Sequence, residues 1–188
     1  MYSVNEIFYS LQGEGYHTGR PAVFVRLAGC NLRCPFCDTD YSRSTAMTVE
    51  QIAEQVFAYS THPYTLIVLT GGEPSLQVDE ALVDALHRHG QIVAIETNGT
   101  HQIPDGIDWV TVSPKSDGTV ILSHADEVKI VFFNQPKQEL EQWQTTIRAM
   151  HYFLQPCSCS NTDAVVAYIL QHPGWRLSLQ THKYINIR

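Results

Sequence analysis

The sequence predicts an α/β fold, in which helices cover a mostly parallel sheet or an incomplete barrel. Short β-branched runs alternate with helical patterns, and the runs are almost continuously apolar, as in strands buried on both faces. Of the 188 residues, 44% are apolar and only 16% are charged, which suits a folded core. A complete eight-fold barrel needs about 250 residues. One domain, residues 1–188, with an open sheet is therefore expected.

Eight apolar runs rich in β-branched residues are predicted to be strands, since such side chains pack well on a pleated surface. They lie at residues 5–9, 22–27, 66–69, 92–96, 109–112, 128–133, 152–154 and 176–179. Ligands in α/β folds bind at the carboxyl ends of parallel strands. Polar residues that directly follow these runs are therefore the first candidates for a functional site.

Four helices are predicted between the strands, at residues 49–59, 79–89, 137–150 and 162–171. The first has a capping box, in which Thr48 and Gln51 satisfy free amide groups at the helix start. Gly90 is predicted to end the second, because glycine accepts the left-handed conformation common after a helix.

The charge balance disfavours a polyanionic partner. Twelve Lys and Arg against nineteen Asp and Glu give a net charge of −7, so no binding to nucleic acid is expected. The longest apolar runs, at 66–69 and 165–170, are far shorter than the roughly 18 residues of a membrane span. Residues 1–7 carry neither a basic nor an apolar leader, so no membrane partner and a cytoplasmic location are expected.

Three of the five cysteines crowd into the segment after the second strand, with the spacing C-x3-C-x2-C. They are Cys30, Cys34 and Cys37. Three thiolates leave one position open on a metal centre that prefers four ligands, and an open position suggests chemistry. A zinc site completed by a histidine such as His17 is the alternative. Cys157 and Cys159 are interpreted as ordinary free thiols outside the site.

Three further strand ends carry polar clusters: Thr-Gly-Gly-Glu-Pro at 70–74, Glu-Thr-Asn-Gly at 96–99 and Ser-Pro-Lys at 113–115. Each alone is typical of a turn, but all three fall at the same predicted edge of the sheet. Together, the cysteine spacing and the Gly-Gly-Glu-Pro segment resemble the radical S-adenosylmethionine (SAM) superfamily. The resemblance implies an incomplete (partial) TIM-type barrel, a reduced radical SAM core in which the short chain replaces some helices by loops.

The same resemblance implies a [4Fe-4S] cluster whose irons are held by the three cysteines and by SAM. It also implies the SAM contacts, which are Asp38, Gly71, Gly72, Glu73, Ser113, Lys115 and Gln155.

A narrower resemblance extends over most of the chain. Phe-Tyr-Ser-Leu-Gln-Gly-Glu-Gly at 8–15, the segment 19–30, and Leu-Gln-Thr-His-Lys at 179–183 are similar to the family of 7-carboxy-7-deazaguanine synthases. This implies conversion of 6-carboxy-5,6,7,8-tetrahydropterin to 7-carboxy-7-deazaguanine with loss of ammonia, in queuosine biosynthesis. It also implies Mg²⁺, a homodimer, and a flavodoxin-like or other one-electron reductant.

Within that resemblance, Thr39 is the magnesium ligand, and the substrate residues are Leu11, Gln12, Glu14, Arg26, Thr70 and His182. A guanidinium can meet a pterin carboxylate bidentately, and a glutamine with a glutamate can meet its pyrimidine edge. His182, in a predicted C-terminal strand, would close the pocket. A surface ion pair between Glu14 and Arg26 is the alternative interpretation. No residue is assigned as a catalytic acid or base.

Two other functions fit parts of the pattern. A small radical SAM activase that installs a glycyl radical on a partner protein would need an open groove instead of a closed anion pocket. A non-enzymatic, zinc-stabilised interaction module would need four metal ligands and would have no use for the Gly-Gly-Glu-Pro segment.

Overall fold

The computed structural model describes residues 1–40 and 42–188, and its centre is a single nine-stranded sheet. The strands are β1 (Tyr2–Leu11), β2 (Pro21–Leu27), β3 (Thr45–Met47), β4 (Leu66–Gly71), β5 (Ile92–Thr97), β6 (Trp109–Val112), β7 (His124–Phe132), β8 (Arg148–Pro156) and β9 (Arg176–Leu177). Their order across the sheet is β3-β1-β2-β4-β5-β6-β7-β8-β9.

The sheet is parallel from β2 to β9, and only β1 runs antiparallel to its two neighbours, β2 and β3. In the described residues the two outermost strands, β3 and β9, do not pair with each other, so the barrel is open. The predicted α/β partial barrel is confirmed.

The helices are α1 (Val49–Tyr59), α2 (Glu80–Leu86), α3 (Lys137–Thr146), α4 (Thr162–Gln171) and α5 (Thr181–Ile185). The predicted capping box of Thr48 and Gln51 is confirmed. Gly90 adopts the expected left-handed φ of 73°, but it ends the 3-10 turn His87–His89, because α2 itself ends earlier, at Leu86. The connections β5–β6 and β6–β7 contain loops instead of helices, as the short chain implies. No helix in the ranges 1–40 and 42–188 is long and apolar enough to cross a bilayer.

Alternation along each strand divides the sheet into two faces. On the outer face, Val25 of β2 and Leu69 of β4 join the core under α1 and α2. The inner face is apolar at the amino-terminal half of the strands, where Phe24 and Val68 pack together. Further along, the same face becomes polar. The residues that continue it are Arg26, Thr70, Glu96, Lys129 and Gln155.

Several predicted boundaries are wrong. The helix predicted at 137–150 ends at Thr146, because β8 begins at Arg148 and pairs with β7 from His124 onward. The strand predicted at 176–179 is only Arg176–Leu177, and His182 lies in helix α5 instead of a strand. The short edge strand β3 was not predicted either. Each error falls where long-range pairing decides the local structure.

Candidate active site

A cleft of about 540 Å³ opens at the carboxyl ends of the strands, and every predicted site residue lines it. They are Leu11, Gln12, Glu14, Arg26, Cys30, Cys34, Cys37, Asp38, Thr39, Thr70, Gly71, Gly72, Glu73, Ser113, Lys115, Gln155 and His182. The volume suits a ligand of cofactor or small-substrate size.

The cysteine loop follows β2 and is held against the end of β4 by backbone hydrogen bonds. Gly72 N donates to the Leu27 carbonyl (3.0 Å), and Glu73 N donates to the Gly29 carbonyl (2.9 Å). A Cβ atom on Gly72 would overlap the Gly29 carbonyl oxygen and come within 3.0 Å of Cys30 Cβ. The paired glycines therefore let two backbones approach closely beneath the thiols.

Burial and neighbouring charges shift the pKa values of two of the three thiols. Burial raises the pKa of Cys30 and of Cys34; the charge of Cys37 adds to the rise at Cys30, and the charges of Cys30 and Cys37 add to the rise at Cys34. Among residues 1–40 and 42–188, no group of three or more His, Cys, Asp or Glu is arranged to hold a single metal ion. Three thiolates on one loop fit a cubane cluster, in which each cysteine would bind a different iron.

Glu73 is a buried carboxylate that ties three elements together. Its Oε1 accepts hydrogen bonds from Ser75 Oγ (2.7 Å) and Thr97 Oγ1 (2.6 Å), and its Oε2 accepts from Asn98 N (2.7 Å). It fixes the end of β4 to the end of β5, so the Gly-Gly-Glu-Pro segment has a structural role in addition to the predicted cofactor contact.

Lys115 lies at the cleft wall beyond β6, and its ammonium donates to the Ser113 carbonyl (2.8 Å) and hydroxyl. Burial lowers the pKa of Lys115 to about 8, although the nearby Cys34 charge opposes this. Gln155, at the end of β8, accepts from Ser178 Oγ (3.0 Å), and Ser178 Oγ in turn accepts from Gly15 N (2.9 Å). The predicted SAM residues thus connect to the loop that follows β1.

That loop carries Gln12 and Glu14 into the cleft. Glu14 Oε2 lies 2.6 Å from Lys129 Nζ, and Gln12 Nε2 donates to Glu96 Oε1 (3.0 Å). Burial alone would raise the pKa of Glu14, but Lys129 and Gln180 outweigh it and lower that pKa to about 2. Glu14 is therefore an ionised acceptor.

Three residues of this wall were given no individual role from the sequence: Lys129, Glu96, which stands in the polar cluster at 96–99, and Gln180, which stands in the segment 179–183. Gln180 Nε2 donates to Glu14 Oε1 (2.9 Å). A usable signal for Lys129 exists, since a charged residue interrupts the apolar run 128–132 at a position that alternation places on the inner face.

Helix α5 covers the cleft beside the cysteine loop. Thr181 N donates to the Gly13 carbonyl (2.9 Å), and the His182 ring packs against Gly13, where a Cβ would overlap it. Lys183 Nζ donates to Asp38 Oδ2, and this pairing lowers the pKa of Asp38 against the opposing effect of burial. Half-buried Thr39 follows Asp38 in the cleft wall.

Arg26 and Glu14 do not pair with each other in the described structure. Arg26 Nε donates to Glu6 Oε1 (2.9 Å), and its guanidinium carbon lies 5.8 Å from the Phe8 ring centroid. Arg188 pairs with the other oxygen of Glu6. The alternative interpretation of a Glu14–Arg26 surface pair is therefore wrong.

Comparisons with known proteins agree with this geometry. The family model of the radical SAM superfamily matches residues 24–122. The chain is 54% identical over 188 residues to 7-carboxy-7-deazaguanine synthase of Bacteroides thetaiotaomicron, with 100% of both chains covered. It is 44% identical over 210 residues to that of Bordetella pertussis, with 99% of both covered. A crystal structure of QueE from Escherichia coli has a TM-score of 0.82 and 32% identity, covering 96% of this chain and 94% of that one.

An open parallel barrel with C-x3-C-x2-C at its carboxyl edge defines an enzyme of the radical SAM superfamily, which implies a [4Fe-4S] cluster and SAM. Within that superfamily, the chain belongs to the 7-carboxy-7-deazaguanine synthase family. The full-length match decides against both the glycyl-radical activase and the zinc-stabilised module.

Proposed function

We propose that the chain forms one radical SAM domain over residues 1–188 and acts as a carbon-nitrogen lyase. It converts 6-carboxy-5,6,7,8-tetrahydropterin to 7-carboxy-7-deazaguanine, with loss of ammonia, in 7-deazapurine (queuosine) biosynthesis. The observation that carries this proposal is the shared cleft. It is lined by the cysteine thiols and glycine backbone and also by ionised Glu14, Gln12 and Arg26.

The cysteines and the polar residues of the cleft have different proposed roles. Cys30, Cys34 and Cys37 would hold the cluster, which, once reduced by the external one-electron donor, would supply the electron for cleavage of bound SAM. Glu14 and Gln12 would bind the pyrimidine edge of the pterin. The protein's contribution is to orient the substrate and to exclude water.

The remaining SAM contacts are proposed from the cleft lining. Gly71 and Gly72 would offer backbone close to the SAM amino group, and Ser113 with Lys115 would meet its polar end. Asp38, Glu73 and Gln155 line the same cleft. Leu11, Thr70 and His182 would enclose the pterin, with His182 held over Gly13 by α5.

Replacing Arg26 with alanine is expected to weaken pterin binding by about 10- to 100-fold, the range for losing a charged hydrogen bond. Glu6 keeps a partner in Arg188, so the fold is retained. Anaerobic calorimetry measures the affinity, and cluster content and SAM cleavage are expected to stay normal. The matched control is Arg148→Ala, at an exposed position outside the cleft. Unchanged affinity in Arg26→Ala would show that Arg26 does not bind the pterin carboxylate.

We assign Mg²⁺ to Thr39, whose hydroxyl, substrate oxygens and waters would complete an oxygen-rich coordination sphere. Replacing Thr39 with alanine is expected to raise the Mg²⁺ concentration for half-maximal turnover by about tenfold. A Mg²⁺ titration of turnover measures this, with exposed Thr61→Ala as the control. An unaltered Mg²⁺ dependence of turnover in Thr39→Ala would show that Thr39 is not the magnesium ligand.

The reaction itself is tested anaerobically with iron- and sulfide-reconstituted protein, SAM, Mg²⁺, reductant and 6-carboxytetrahydropterin. Mass spectrometry is expected to detect 7-carboxy-7-deazaguanine. Cleavage of SAM without that product would retain the radical SAM class and reject the substrate.

We also propose a homodimer, since two-fold assemblies are the commonest among soluble oligomers, and a flavodoxin-like or other one-electron reductant. The five free cysteines suit a reducing compartment such as the cytoplasm. Light scattering coupled to size-exclusion chromatography tests the dimer.

A further inference from the structure

Lys129 is a lysine buried in the wall of the cleft. It lies in the middle of β7, and only 6% of its side chain is exposed. The neighbouring positions from 128 to 132 are otherwise apolar. Burying an ammonium group is unfavourable unless it is paired, so the role of Lys129 lies in what it contacts.

The contacts of Lys129 are carboxylates from different parts of the chain. Its Nζ lies 2.6 Å from Glu14 Oε2, in the loop after β1, and 3.4 Å from Glu96 Oε1, at the end of β5. Glu127, two residues earlier on β7, is near enough to act on it electrostatically. Burial would lower the pKa of Lys129, but these carboxylates hold it above its ordinary value. The ammonium thus stays charged at neutral pH.

Without Lys129, the effect of burial on Glu14 would lose its main opposing charge. Burial and a like charge both favour the protonated acid, so removal of the ammonium would raise the pKa of Glu14 from about 2. Burial already raises the pKa of Glu127. Lys129 is therefore the main group that keeps buried Glu14 ionised in this wall.

Amide groups fix the orientation of the pair. Gln12 donates to Glu96 through Nε2, so its Oε1 accepts from Glu14 N (3.1 Å). Gln180 Nε2 donates to Glu14 Oε1 from the opposite side. Within residues 1–40 and 42–188, Glu96 Oε2 has no hydrogen-bond donor, and the Glu96 side chain is 24% exposed in the cleft. Glu96 therefore keeps an acceptor oxygen without a protein partner on a side chain that lines the cleft.

We propose that Lys129 is a positioning residue that fixes Glu14 and Glu96 as an acceptor pair for a heterocycle edge bearing several N–H donors. A pterin has such an edge in its N3–H and 2-amino groups, so this inference rests on the proposed function and extends it to substrate selection. Lys129 acts through the two carboxylates rather than by contacting the substrate. The other charged or titratable groups facing the pair are Asp38, Lys115, Glu127 and His182.

The test compares reconstituted wild-type protein with Lys129→Met and Lys129→Arg, by anaerobic calorimetry with 6-carboxytetrahydropterin at pH 8 and pH 6. Lys129→Met is expected to weaken binding at least about tenfold at pH 8, as for loss of a charged hydrogen-bond network. Its affinity is expected to fall further toward pH 6, by a larger factor than in wild type, because a carboxylate that becomes protonated ceases to accept. Lys129→Arg is expected to restore the wild-type pH dependence.

The control is Lys137→Met, which removes an exposed lysine paired with Glu141 on α3. Asp38, Lys115, Glu127 and His182 are present in every variant, so the comparison between variants isolates the effect of residue 129. Lys129→Gln carries the same expectations and replaces Lys129→Met if the latter does not fold.

Three results would overturn the positioning role: affinity within about twofold of wild type, weaker binding with the wild-type pH dependence, or no rescue by arginine. The last two results would show that Lys129 has only a structural role, in packing of the cleft wall. Absence of pterin binding by the wild-type protein is a different failure, since it rejects the proposed substrate and this inference together.

Discussion

Replacing Cys34 with alanine is expected to abolish cluster binding and to reduce SAM cleavage by at least about 10³-fold, equivalent to about 4 kcal/mol. Cys34 is the middle thiol of the three that line the cleft, and the remaining two leave an iron without its protein ligand. Iron and sulfide content, visible absorbance and 5′-deoxyadenosine formation measure the loss.

The control for this variant is Cys159→Ser, because Cys159 lies in the turn after β8 and does not line the cleft. It is expected to keep a full cluster and normal SAM cleavage. A Cys34→Ala protein that still binds four irons would show that another residue supplies the ligand, and the cysteine assignment would then be wrong.

Replacing Gly72 with alanine is expected to destabilise the protein by about 3 kcal/mol and to displace the cysteine loop. The added methyl group would overlap the Gly29 carbonyl oxygen, and backbone on both sides leaves no flexible side chain to move away. Cys30 Cβ lies 3.0 Å from the same point, so the first cluster ligand moves with the loop. For a chain of this size, the change corresponds to a melting temperature lower by about 6–12 °C.

Gly174→Ala is the matched control for this prediction. A Cβ there would meet only Gln144 Nε2, at an ordinary contact distance of 3.5 Å. Thermal unfolding by circular dichroism compares the two variants, and iron content reports on the loop. Equal stability of Gly72→Ala and wild type would mean that the two backbones separate at little cost.

The sequence predicted the class of fold correctly, and it also predicted which residues would share one cleft. Residues separated widely along the chain, such as Glu14 and Gln155, were assigned together and do line one cleft. Helix starts and ends that depend on local chemistry, such as the Thr48 capping box, were also predicted well. These features are encoded within a few residues or in a family motif.

What was missed depends on distant contacts. The start of β8 is set by pairing with β7, since Arg148 aligns with His124. Lys129 was missed because a lysine in a strand is ordinarily an exposed edge residue, and its pairing with Glu14 spans 115 positions. No local pattern records which carboxylate will lie opposite an ammonium in the folded chain.

The wall of the cleft has a consequence for biosynthesis of the enzyme. Glu14 and Gln180 are hydrogen-bonded across 166 positions, and Asp38 and Lys183 across 145. During translation, the cysteine loop leaves the ribosome long before the residues of α5 that hold it in place. Contacts of such long sequence separation form late in folding. Delivery of iron and sulfide to the nascent chain before α5 is made would therefore meet a cysteine loop that lacks these contacts, and stable loading is expected only after the residues of α5 have been synthesised and have packed.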